Sequence, residues 1–190
     1  MAIEFLIPVS EEVLSLRTTS EPQTLGNKIK IHTETGGIPS FKNKRIAIVG
    51  VQETRSIGQP HQRKQNLTGI RKALYSLYIG NWSYSIIDLG DVPIGDKESD
   101  SMKVLHDIAK EMYQRNILLI AFGGSQKNTL GLCSVYNELE VYYNLTSLDY
   151  KFDFGGDGNL ISPDSYMSKL IANRPNYMSN FCNLGYQSYM

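Results

Sequence analysis

Cysteine is scarce in this sequence, two in 190 residues, which excludes the disulfide-stapled scaffolds of small secreted domains. Cys133 and Cys182 each sit in an apolar segment, where buried free thiols are expected. Excess charge is missing too. Lys+Arg and Asp+Glu number 19 each, so no global field recruits nucleic acid or an anionic membrane. The short basic cluster from 61 to 64 (HQRK) reads as a solvated loop. No apolar run approaches the roughly 20 residues that span a bilayer. The opening MAIEFLIPVSEEV has no basic stretch and carries acids directly after its apolar patch, so it is not a signal peptide. The cytoplasm is therefore the expected compartment, and the N-x-[ST] triplets at Asn66, Asn81 and Asn144 read as chance. The three histidines, His32, His61 and His106, are scattered and read as structural. There is no internal repeat and no low-complexity tract.

What is present is alternation. Residues 1–44 are irregular and polar, broken at Glu21-Pro22 and Thr35-Gly36-Gly37, and read as an N-terminal arm packed on a core that begins at Arg45. Arg45–Val51 (RIAIVGV) is a continuous apolar run, the mark of a strand buried on both faces. Ile70, Ala73, Leu74, Leu77 and Tyr78 recur at helical spacing. A second strand spans Tyr84–Leu89, closed by Gly90. The clearest helix runs from Ser99 to Arg115, with the stripe Val104, Leu105, Ile108, Ala109, Met112 and a cap from Ser99 or Asp100. Ile117–Phe122 is a third buried strand. Gly123-Gly124 turn the chain into a helix near Gln126–Asn137, Val141–Phe154 contains a fourth strand, Pro163 opens another helix, and Ser179–Tyr186 is a fifth strand.

Strands alternating with amphipathic helices predict an α/β fold, a mainly parallel sheet in an α/β/α sandwich. In such sheets ligands bind beyond the carboxyl ends of the strands. The loops after Val51, after Phe122 and after Asp149–Asp153 then form the functional rim. Within SLDYKFDFG, Asp149, Lys151 and Asp153 share one strand face by their spacing. An Asp-x-His-x-Asp array here supplies ligands for Mn²⁺ or a similar ion; a protonated lysine in the middle position has no lone pair to give. A strand-end salt bridge is the plain alternative. Phe122–Gln126 (FGGSQ) lets backbone approach a ligand or a neighbouring helix, or serves only as a tight turn. Asp153-Phe154-Gly155 matches a kinase metal motif without its companions. Asp153, Asp157, Gly158 and Asp164 only partly mimic a calcium loop. Gly50-Val51-Gln52 is no dinucleotide fingerprint.

Taken together and in order, IVGVQETRS, QNLTGIRKALYSLY (with Gly69-Ile70-Arg71 and Leu74), IIDLGDVPIGD, ILLIAFGGSQ and NLTSLDYKFDFG resemble the arginase/agmatinase/formiminoglutamase (ureohydrolase) superfamily, formiminoglutamase-like in its N-terminal arm. The resemblance runs from about Arg45 to the end of the chain. It implies a dinuclear manganese site whose bridging hydroxide attacks a guanidinium or formimino carbon. Carried over by position, the family's Gly-Gly-x-His ligand falls on Gln126, and its Asp-x-His-x-Asp ligands fall on Asp149, Lys151 and Asp153. The family's later Asp-x-Asp pair has no counterpart, and Gly155 stands where arginases often place a substrate-contacting Asn. Asp149 and Asp153 thus read as a vestigial metal pair, with Gln126 and Lys151 at histidine positions.

The expectation is an incomplete arginase-like domain, the first half of the family's fold over residues 45–190, that has lost its metals, takes no cofactor and is non-catalytic as this chain. It acts by protein contacts or by binding a small cationic or amide ligand, with a substrate site that the sequence does not identify. The alternative is the N-terminal part of an active C–N hydrolase. The expected partners are a second copy of the chain or a missing C-terminal half. A Rossmann-like nucleotide-binding domain is disfavoured by the lack of a Gly-rich phosphate loop.

Overall fold

The computed structural model describes residues 2–55, 65–81, 85–155 and 161–189. The basic cluster at 61–64, His61, and the Asp157 and Gly158 of the calcium-like pattern lie outside them. The described residues form two compact units. One holds the residues before Thr54 and those from 65 to Gly124; the other holds Thr54, Arg55 and the residues from Ser125 onward.

The first unit opens with a 3₁₀ turn, Ala2–Phe5, and three one-turn helices, α1 (Glu11–Leu14), α2 (Leu16–Thr19) and α3 (Leu25–Lys28). A short strand β1 (Lys30–Ile31) follows, then β2 (Ile46–Val51), α4 (Leu67–Tyr75), β3 (Ile86–Val92), α5 (Glu98–Gln114) and β4 (Leu118–Gly123). The four strands form one parallel sheet in the order β1-β3-β2-β4. β2 lies inside that sheet, and every residue from Ala47 to Val51 is buried, as a strand covered on both faces requires. Val9, Val13, Leu25 and Ile29 cluster with Ile31, Ile48 and Tyr75, while α5 packs against β3 and β4. The segment before Arg45, irregular by its sequence, thus supplies helical turns and an edge strand. Its apolar residues are too widely spaced for a periodic signal, and tertiary burial fixes them instead.

Three local expectations change. The buried face of α4 is Leu67, Arg71 and Tyr75. Ile70 is 41% exposed, and Leu77 and Tyr78 lie exposed beyond the helix end. β3 continues through Gly90 to Val92; an extra residue on β3 between the pairs Ile48–Asp88 and Gly50–Asp91 bulges the strand there. β4 is not buried on both faces: it is an edge of the sheet, and Leu118 and Ile120 are 62% and 45% exposed. The helix expected from Ser99 is realised as α5, buried along Leu105, Ile108 and Met112. Asp100 accepts a bond from the Lys97 N–H at 2.8 Å and so closes its first turn.

The second unit contains α6 (Asn128–Glu138), β5 (Tyr143–Leu148), α7 (Tyr166–Ala172) and β6 (Met178–Leu184). β5 and β6 pair in parallel. One core gathers Cys133, Tyr143, Tyr166, Met167 and Leu170. Cys133 is buried, and burial pushes its thiol up to about 11. Cys182 is exposed, contrary to the expectation of two buried thiols: it falls on the open face of β6, opposite Thr146. Asn144 is also exposed on β5 rather than buried, and accepts a bond from Asn180 at 2.9 Å.

Candidate functional site

The expected metal-strand residues all belong to the second unit. β5 ends at Leu148, so Asp149, Lys151 and Asp153 do not lie on a strand. The partner strand β6 stops opposite it at Leu184, where Gly185 takes φ +93° and turns the chain away. Beyond Leu148 the backbone is held by scattered bonds. The Asp149 N–H donates to Leu184 O at 2.9 Å, the Asn183 amide to Lys151 O at 2.6 Å, and the Gln187 N–H to Tyr150 O at 3.1 Å. The rings of Phe152 and Phe154 stack with centroids 5.5 Å apart, and Phe152 also meets Tyr186 at 4.5 Å. Between the two phenylalanines, Asp153 takes φ +53°, a left-handed conformation that Asp tolerates better than most residues.

This loop separates the residues by environment. Gln126, in the turn before α6, donates its side-chain amide to Asp149 Oδ2, and the Lys151 N–H reaches Asp149 Oδ1 at 3.3 Å. Gln126 and Asp149 are therefore brought together. Lys151 is not clamped between the two aspartates. Its ammonium is half exposed, 3.8 Å from Asp164 and 5.0 Å over the Tyr150 ring. The Tyr150 hydroxyl first, and Asp164 after it, hold that ammonium above its ordinary pKa. Asp153 is 6% exposed, and its Oδ2 has no hydrogen-bond partner among the described residues. Burial first, then the charges of Asp149 and Asp164, push its carboxyl above the usual range, against a partial offset from Lys151.

Lys127, next to Gln126, is completely buried and donates to Arg55 O at 2.7 Å. It ties the turn before α6 to the segment after β2. Nothing in the sequence around this lysine marks it as interior.

In the first unit, an unanticipated ion network lies at the carboxyl end of β3. Arg71 Nε and Nη2 meet the two oxygens of the fully buried Asp88 at 2.9 and 3.0 Å; Nη1 meets Asp91 at 2.6 Å and Nη2 also meets Gly90 O at 2.9 Å. Tyr75 donates to Asp88 at 2.7 Å. Burial works against the guanidinium charge, but Asp88 and Asp91 more than offset it and raise the Arg71 pKa; burial and Asp88 raise that of Tyr75. Gly50 belongs to this packing: a Cβ there would lie 2.1 Å from Asp91 Oδ1. At the other glycine signal, Gly123 takes φ +84° and a Cβ would lie 2.6 Å from Val51 O, so the Gly-Gly turn is enforced by backbone approach. Glu53, buried after β2, accepts from Ser101 at 3.0 Å. His106 is buried on α5, and His32 is buried with Nδ1 2.9 Å from Leu89 O.

Among the described residues, no three His, Cys, Asp or Glu side chains are arranged to hold a metal ion, and no helix is long and apolar enough to cross a membrane. No family model matches the chain, and no curated protein matches it. Solved structures do. A formimidoylglutamase from Bacillus subtilis matches with TM-score 0.65 at 14% identity, over 80% of this chain and 51% of its own. A hypothetical agmatinase from Burkholderia thailandensis matches with TM-score 0.64 at 14% identity, over 81% and 53%. A Trypanosoma cruzi formiminoglutamase with Mn²⁺ matches with TM-score 0.64 at 13% identity, over 76% and 54%. These likenesses show an arginase-like α/β fold, and this chain spans about half the length of the structures it matches.

Proposed function

We propose that this chain is an arginase-fold domain that binds rather than hydrolyses, at the end of β5, where the resemblance places the family's metal ligands. The observation that carries the reading is the donor set there. A dinuclear Mn²⁺ centre needs several oxygen and nitrogen lone pairs converging on each ion. At this position the chain offers two carboxylates, a primary amide and a lysine. The amide donates to Asp149 and so competes for its lone pairs, while the lysine carries a charge that opposes a divalent cation. These residues do not fit the two Mn²⁺ ions of a hydrolytic centre. Asp149 and Asp153 act instead as acceptors for a small cationic or amide ligand or for a protein group, in a chain we place in the cytoplasm.

The test is metal uptake beside restoration. Parent protein equilibrated with Mn²⁺ and desalted is expected to carry negligible metal, whereas Gln126→His with Lys151→His is expected to carry more. Release of ammonia, urea or formamide from formiminoglutamate, arginine or agmatine by Mn²⁺-treated parent protein would overturn the reading.

A further inference from the structure

Independently of the reading at the end of β5, we infer that the first unit carries a second site, at the amino ends of β2 and β4, for a small carboxylate with an apolar body. An open cavity of about 630 Å³ lies there, within the range of about 300–1,000 Å³ that small-molecule sites occupy. Two fixed turns build its walls. In one, the Lys44 N–H donates to Phe41 O at 3.1 Å and Asn43 takes φ +60°, a left-handed conformation that Asn accepts. In the other, which joins α5 to β4, Asn116 takes φ +56° and the Ile117 N–H donates to Met112 O at 2.9 Å. Ile38, Pro39, Phe41 and Ile117 give the cavity its apolar lining.

The polar lining sets the charge of the ligand. Arg115 is already positioned: its Nε and Nη2 donate to Glu111 Oε1 at 3.0 and 2.7 Å, and its guanidinium stands 4.8 Å over the Phe41 ring. Among the described residues, neither Arg115 Nη1 nor the Lys42 ammonium meets an acceptor. Two cations against one acid leave a single positive charge unanswered, which matches one negative charge. Ser40 accepts the Lys42 N–H at 3.2 Å and keeps its own proton for a further oxygen. A doubly charged phosphate fits worse. The helix end at this cavity is the C-terminal end of α5, whose dipole opposes anions. That end is partly quenched, because the carbonyls of Glu111, Met112 and Tyr113 already accept backbone N–H groups. One charge facing Arg115 and Lys42 is therefore compensated, and a second is not.

The experiment is calorimetric titration of the full chain with sodium phenylacetate at low ionic strength. Phenethyl alcohol, phenethylammonium and phenyl phosphate, which keep the ring and change the head, run in parallel arms. Saturable phenylacetate binding with a dissociation constant of about 1 mM or tighter is expected, with weaker binding in all three other arms. Lys42→Met alters an exposed side chain without an acceptor, so the variant is expected to fold as the parent does. It is expected to weaken phenylacetate binding roughly threefold or more, and Arg115→Met roughly fivefold or more. Absent phenylacetate binding, equal binding of the alcohol or the ammonium, tighter binding of phenyl phosphate, or an affinity indifferent to Lys42→Met overturns the inference.

Discussion

Asp153 holds its unusual state through position rather than through a partner. Its carboxyl is buried, lacks a donor on Oδ2 among the described residues, and sits in the field of two other acids. With the folded pKa above the unfolded value, the folded chain binds the extra proton. The stability this provides is complete below the ordinary carboxyl range and is lost as pH rises through the raised folded value. Asp153→Asn, which cannot ionise, is therefore expected to have a higher urea midpoint than the parent at about pH 7, and the two are expected to converge in acid; a lower midpoint at neutral pH would contradict this account. The two thiols offer a second check. Cys182 is exposed, and Cys133 is buried with its thiol raised to about 11. A maleimide or disulfide reagent is expected to label Cys182 within minutes and Cys133 only on unfolding. Peptide mapping of the labelled protein reads the difference.

Helix α4 shows how an element can be found while its buried face is misjudged. A search for apolar periodicity selects Ile70 and Leu74, because those residues are apolar at the right spacing. The buried row is Leu67, Arg71 and Tyr75, and its centre is a cation. That face becomes legible only once Asp88 and Asp91 are known to lie opposite, which depends on how β3 is placed beside β2. Arg71 is the network's only cation among the described side chains that meet Asp88, so Arg71→Met leaves that carboxylate buried and uncompensated. The expected loss is about 3–5 kcal/mol in urea unfolding of the chain; a loss below about 1 kcal/mol would show the network to be dispensable. The end of β5 was hidden for a different reason. SLDYKFDF keeps a period of two well past Leu148, and period alone cannot reveal that β6 has turned away at Gly185. Asp149, Lys151 and Asp153 follow the end of β5, so the shared strand face that a period of two predicts is not formed. Lys127 left no readable signal at all, since a lysine's complete burial is decided by the surrounding chain.

At the scale of the whole chain, alternation of apolar runs and amphipathic stretches made the parallel α/β fold legible, and the solved structures share it. What the pattern could not supply was where the sheet stops, because an edge strand and an inner strand carry the same apolar run. β4 is such an edge, six residues long, with Leu118 and Ile120 exposed and no charge or proline to guard it. We propose that a second copy of the chain covers it, since equal numbers of acidic and basic residues, 19 each, set no net repulsion between copies. Sedimentation velocity is expected to show concentration-dependent association that Ile120→Lys diminishes; a single monomeric species at every concentration would contradict it. The central claim, that the site at the end of β5 is one of binding rather than of metal hydrolysis, is tested most directly by elemental analysis. Chain purified, equilibrated with excess Mn²⁺ and desalted is expected to retain far less than stoichiometric manganese. Retention of near-stoichiometric or greater manganese, lost on Asp149→Asn or Asp153→Asn, would contradict it.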